Sequence, residues 1–86
     1  MNVNQLILLL KSRIEKNILT QNITIKDKTY LHKKHTSHTK GKFHLELSIK
    51  SEELKEYNKI QATKRIYNIL DEEIKKYIHS IQILIN

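Results

Sequence analysis

Residues 43 to 50 read FHLELSIK, in which Phe43, Leu45, Leu47 and Ile49 alternate strictly with His44, Glu46, Ser48 and Lys50. Successive side chains of an extended chain point to opposite faces, so this octet buries its apolar set as a strand with one face on a core and its polar face toward water. A slip of one residue in pairing would turn every apolar group of the strand outward, so its register is strongly fixed. Such a strand needs neighbours to pair with and a layer to cover it, and the rest of the chain must supply both.

The neighbours lie on either side in sequence. Ile23 and Ile25 alternate with Asn22, Thr24 and Lys26, giving a short strand that stops near Asp27. At the other end His79, Ile81, Ile83 and Ile85 alternate with Ser80, Gln82 and Leu84, a closing strand whose inward column is headed by His79. The cover comes from two amphipathic segments. Val3, Leu6, Leu10 and Ile14, flanked by Ile7, recur at helical spacing over residues 3 to 17, with Asn2 or Asn4 as N-cap. A second long helix runs from about Lys59 to Tyr77, where Ile66, Ile69, Leu70, Ile74, Tyr77 and Ile78 form one stripe. Between them Ser51 to Asn58 reads as a polar turn with a helical bend at Glu52-Glu53-Leu54. Proline is absent and Gly41 is the only glycine, so these boundaries come from apolar period and polar clusters.

The resulting order, α-β-β-α-β, predicts an α+β fold: a two-layer sandwich of a three-stranded mixed sheet with both helices on one face. The first two strands should be antiparallel. The last two, joined through a helix, should be parallel neighbours linked by a right-handed crossover. With 86 residues there is room for one core, so residues 1–86 are expected to form a single domain.

The absence of cysteine excludes a disulfide framework, a thiolate metal site and a redox pair, and points to a reducing, cytoplasmic compartment. Leu6 to Leu10 is far shorter than a membrane span, and it lacks the preceding basic residue and following cleavage site of a signal peptide. It reads as buried helix, with no membrane partner expected. Sixteen Lys and Arg against nine Asp and Glu give a formal charge of +7, which suits nucleic acid, anionic lipid or an acidic partner protein and also a composition merely rich in Lys, Ile and Asn. Catalysis finds little support: there is no thiol nucleophile and no glycine-rich phosphate loop. Glu72 and Glu73, adjacent on a helix, point about 100° apart and read as surface carboxylates.

Histidine is the remaining chemistry. Residues 32 to 44 read HKKHTSHTKGKFH, placing His32, His35, His38 and His44 close together in sequence. Neutral imidazole binds Zn, Cu, Ni and Fe, but a structural zinc site takes four ligands, and Lys33, Lys34 and Lys40 oppose a cation there. The stretch therefore reads either as a solvated loop or as part of a site that a partner completes. His79, at the first step of a strand's inward column, stands at the rim of the core, where it could equally be satisfied by a backbone carbonyl or water.

Taken in order, these segments resemble the BolA-like proteins. Asp27-Lys28-Thr29-Tyr30-Leu31-His32 looks like the end of that family's first strand and the turn after it, and Lys42-Phe43-His44-Leu45-Glu46-Leu47 like its second strand. Gln61 through Ile74 (QATKRIYNILDEEI) resembles the long helix, and Ile78-His79-Ser80-Ile81 the closing signature of an aliphatic residue, histidine and a small residue. The resemblance runs from about residue 23 to 85. Departures are Gly41-Lys42, where family members commonly carry Ser/Thr-His, and Ala62-Thr63, where Arg-His commonly follows the glutamine.

The resemblance implies a fold similar to the class II KH domain and a non-enzymatic role as partner of a monothiol glutaredoxin. In that role the chain is a monomer alone and a heterodimer with its partner, and together they ligate a [2Fe–2S] cluster that is not held tightly by the isolated chain. His79 matches the family's C-terminal histidine ligand. The second ligand would come from the loop between the first two strands, with His38 first in order, then His35 and His32. Glutaredoxin and glutathione would supply the sulfur ligands. The alternative is a DNA-binding regulator using the basic helix surface of Lys59, Lys64, Arg65, Lys75 and Lys76, mainly through phosphates. Gly41 alone cannot build the GXXG clamp of a true KH domain.

Overall fold

The computed structural model describes residues 1–29 and 42–86. Among the described residues, α1 (Val3–Asn17), β1 (Asn22–Asp27), β2 (Phe43–Lys50) and β3 (Ile78–Ile85) have the expected type and nearly the expected bounds. The long helix anticipated from Lys59 to Tyr77 is instead two, α2 (Lys59–Ile69) and α3 (Asp71–Tyr77).

Both longer helices begin on the same local device. Asn2 Oδ1 accepts from Gln5 N at 2.8 Å while Gln5 Oε1 accepts from Asn2 N at 3.0 Å, and Asn58 and Gln61 repeat the exchange at 2.8 and 3.3 Å. Each pair satisfies donors that the first helical turn leaves without intrahelical acceptors. Downstream, Leu6, Leu10 and Ile14 present one fully buried stripe from α1, and Ala62, Ile66 and Leu70 continue the core from the α2 side.

The division between α2 and α3 falls at Leu70, whose backbone (φ −99°, ψ 11°) lies in the sparsely populated bridge region. No glycine or proline marks it. Leu70 is fully buried, and its amide still bonds Ile66 O while its carbonyl receives Ile74 N, so the chain bends around a core side chain and keeps its ladder. α3 then carries Asp71, Glu72 and Glu73 in its first turn and Lys75 and Lys76 near its end, an order that complements the helix dipole.

The sheet order is β1-β2-β3, with β1 antiparallel and β3 parallel to β2, as the strand patterns require. Ile25 and Ile83 flank Leu47 in register, and Ile23 and Ile85 flank Ile49. These side chains face the helices, while Thr24, Lys26, Glu46, Ser48 and Gln82 lie on the opposite face. Tyr67, on α2, donates its hydroxyl to the carbonyl of Ile81 on the outer strand β3 at 3.1 Å.

Two polar residues read from sequence as solvent-facing are buried. His44 is 5% exposed although it belongs to the polar set of β2, and Glu73 is 4% exposed where an outward carboxylate was expected. Glu73 is drawn in by Arg13 of α1, whose Nε lies 3.3 Å from Oε1, while Glu72 stays exposed and meets Arg13 Nη2 at 3.6 Å.

The turn after β2 holds a third buried polar side chain. Ser51 Oγ donates to Leu19 O at 2.7 Å and accepts from Leu54 N at 3.2 Å, tying the end of α1 to a short 3₁₀ turn over Leu54–Glu56. Ser51→Ala removes a buried hydroxyl that serves two backbone groups, one of them, the Leu54 amide, buried. It should lower unfolding free energy by about 1–3 kcal/mol, visible as an earlier urea midpoint with unchanged slope. A change within 0.3 kcal/mol would mean that water replaces the hydroxyl.

Candidate functional site

The strand pairing changes step where β3 begins. Phe43 pairs with Ile78, but the next residue of β2, His44, pairs with Ser80, so His79 is an extra residue in β3. A bulge of this kind leaves one residue outside the ladder and re-aims its side chain. Burial follows the shifted phase, with Ile78 and Ile81 buried and both His79 and Ser80 exposed between them. The inward column of β3 is therefore Ile78, Ile81, Ile83 and Ile85. His79 does not head it, as unbroken alternation would require, because the bulge absorbs one residue and turns the imidazole out.

The exposed ring of His79 lies beside that of His44, with centroids 4.8 Å apart and planes tilted by 52°. His44 is held from three directions. Its Nδ1 shares a 2.7 Å hydrogen bond with Ser80 Oγ, its carbonyl accepts from Lys28 N at 2.7 Å, and its amide donates to Thr29 Oγ1 at 3.1 Å. Thr29 is in turn fixed by Asp27, whose Oδ1 accepts from the Thr29 amide at 3.0 Å and from its hydroxyl. The chain just after β1 and the bulge of β3 thus meet at His44, the first through its backbone and the second through its buried ring. Beside it a shallow cleft of about 320 Å³ opens on the sheet face opposite the helices, lined in part by Lys28, His44, Glu46, Ser80 and Gln82.

His32, His35 and His38 lie outside the described residues. Among the described residues no group of three or more His, Asp or Glu side chains is close enough to hold a metal ion. The exposed imidazole can offer a nitrogen donor, and with no cysteine in the chain any thiolate ligand beside it would have to come from another molecule.

The basic residues are less concentrated. Lys64 and Arg65 line a cleft of about 610 Å³ between α1 and α2, together with Arg13, Asn17 and Gln61. Arg65 is engaged there, donating Nη2 to Asn17 O at 3.0 Å with Glu53 Oε2 at 3.8 Å. Lys59 lines a different cleft against the end of β3, and Lys75 pairs with Asp71 at 3.0 Å.

Sequence reasoning missed His44 as part of the site, because on the β2 pattern it is one polar residue of a solvated face. Only the bulge in β3 brings Ser80 and His79 onto it. A histidine at the start of β2 opposite a His-Ser pair at the start of β3 was the available signal, and it is meaningful only once the parallel register is known.

The fold has well-matched counterparts. The BolA domain of SufE1 from Arabidopsis thaliana superposes with a TM-score of 0.78 at 20% identity, covering 100% of this chain and 93% of that one. BolA1 from Arabidopsis thaliana gives 0.77 at 21% identity, covering 91% and 86%. No curated protein sequence matches significantly. The family model of BolA-like proteins matches residues 14–86, from the last turns of α1 to the end of the chain. This chain belongs to the BolA-like family.

Proposed function

We propose that this BolA-like protein is a non-enzymatic partner of a monothiol glutaredoxin, lending imidazole nitrogen to a [2Fe–2S] cluster whose sulfur ligands come from the glutaredoxin and its glutathione. The observation that carries the reading is the bulge at His79, which places an exposed imidazole at the entrance of β3. His38, His35 and His32 are the proposed sources of a second nitrogen, in that order. The cluster is cargo or signal here: the isolated chain does not hold it tightly, and the heterodimer does. A thiol-free chain working with glutathione suits a reducing compartment such as the cytoplasm.

The chemistry of the donor explains what such a partner would change. Imidazole in place of thiolate reduces the negative charge on the cluster and raises its potential, and a protonatable ligand is more easily released. Both properties suit a cluster that is passed on or sensed.

The test is reconstitution of the full chain with a monothiol glutaredoxin, glutathione, iron and sulfide, followed by visible absorption and circular dichroism. Addition of the wild-type chain should alter the glutaredoxin cluster spectrum, and His79→Ala, which keeps the fold because the side chain is exposed, should remove that alteration. Single replacements of His38, His35 and His32 should perturb the spectrum unequally. Identical spectra for wild type and His79→Ala would overturn His79 as a ligand, and no effect of the wild-type chain would overturn the partnership.

A further inference from the structure

We propose that the cleft between α1 and α2 binds a 5′-mononucleotide through its phosphate and ring, at a site separate from the imidazole pair and independent of cluster ligation. The cleft encloses about 610 Å³, within the span of about 300–1,000 Å³ that small-molecule sites occupy. Its charged lining is wholly cationic, with Arg13 from α1 and Lys64 and Arg65 from α2. Three carboxylates pair with the arginines, Glu72 and Glu73 with Arg13 and Glu53 with Arg65, but none of them lines the cleft. Lys64 is exposed and makes no ion pair among the described residues. Arg65 is prepared for an anion. Its Nη2 donates to Asn17 O at 3.0 Å, which fixes the guanidinium against the end of α1, and its contact with Glu53, at 3.8 Å between part-exposed side chains, is of a kind that contributes little. Its Nε is buried and has no acceptor among the described residues. That nitrogen has lost water without gaining a hydrogen bond, so the guanidinium carries a charge its surroundings compensate poorly.

Neutral donors extend the same helix face. Gln61, Lys64, Arg65 and Asn68 follow one another at spacings that stack side chains along one side of α2. Gln61 Oε1 is taken by the Asn58 amide, which leaves its NH₂ group for an outside acceptor. Tyr57 precedes α2 and Ile69 ends it, so aromatic and aliphatic surface brackets these donors, with the tyrosine 41% exposed. An inorganic anion would leave that apolar surface unused. A long polyanion needs cations spread along one open face, whereas Lys59 lines a different cleft and Lys75 pairs with Asp71. One phosphate carrying a planar ring uses both parts, the guanidinium fork and Lys64 on its oxygens and the phenol against its base.

The test titrates the full chain with AMP, GMP, CMP and UMP at low ionic strength, by calorimetry and by amide shifts in ¹⁵N-labelled protein. At least one nucleotide should bind, with shifts concentrated at Asn17, Gln61, Lys64, Arg65 and Asn68. Inorganic phosphate and the parent nucleoside should each bind at least about tenfold more weakly. Lys64→Gln, at an exposed position, should weaken the nucleotide about tenfold, as should Arg65→Lys, which keeps the charge and removes the fork. Tyr57→Leu should weaken the nucleotide about tenfold and leave inorganic phosphate unchanged. His79→Ala should bind as wild type does, which separates this site from the cluster role. No binding by any of the four at millimolar concentration would overturn the proposal, as would shifts that avoid the cleft or variants that bind like wild type. Equal affinity for inorganic phosphate would overturn it too. So would a short DNA duplex that binds through Lys59, Lys75 and Lys76 together with Lys64 and Arg65 while mononucleotides do not saturate, which would mark a non-specific polyanion surface.

Discussion

Leu47→Ala is expected to remove about 3–5 kcal/mol of stability, the largest loss from any single truncation in the sheet. Leu47 is fully buried at the centre of the middle strand, with Ile25 beside it on β1 and Ile83 on β3. Neighbours on both sides are held by ladders, so the walls of the void cannot close, and cavity cost adds to lost transfer energy. A domain of this length has on the order of 4–13 kcal/mol in total. The variant should therefore unfold at a much lower urea concentration with an unchanged slope, and a substantial unfolded fraction at 37 °C is expected. Leu8→Ala is the control: Leu8 is 69% exposed, and its loss should change stability by no more than about 0.5 kcal/mol. If the two variants unfolded at the same urea concentration, the core described here would be wrong.

The second large effect concerns Arg13. Its side chain is 44% exposed and meets the buried Glu73 carboxylate, so the two partners stand unequally toward water. Arg13→Met strands the carboxylate and should cost on the order of 2–4 kcal/mol, less than for a fully buried pair because Arg13 is itself partly solvated. Adding Glu73→Leu should restore most of that loss, since an apolar side chain of similar volume needs no counter-charge. Equilibrium urea unfolding of wild type, both single variants and the double variant gives the coupling directly. A double variant no more stable than Arg13→Met would show that the site needs a polar side chain for some other reason.

These two residues also mark how far the sequence could be read. Phe43 to Lys50 and Val3 to Ile14 declare their structure locally, because each places apolar groups at the period of its element, and the sheet order follows from which strands need neighbours. Glu73 was read as a surface group because period alone cannot see an arginine arriving from α1, 60 residues away in sequence. The bend at Leu70 was invisible for a related reason: no glycine or proline marks it, and leucine favours unbroken helix.

The site divides along the same line. That a histidine stands at the start of the last strand was legible, and the family signature drew attention to it. Which way it faces was not, because unbroken alternation puts His79 inward and the register shift at the start of β3 reverses that. His44 depended on the same bulge, being an ordinary member of a polar face until Ser80 is set opposite it. His32, His35 and His38 fall outside the described residues, so their place in the site rests on spacing and resemblance.

The tyrosine that reaches from α2 to the carbonyl of Ile81 also bears on solubility. The outer strand ends in IQILIN, an uncharged, isoleucine-rich run of the kind that recruits identical chains into stacked fibrils. With a phenol seated midway and a bulge at the upstream end, only short lengths of that margin remain for an incoming chain to zip onto. Loss of the phenol would be felt at high concentration, as self-association of a chain whose own fold is intact.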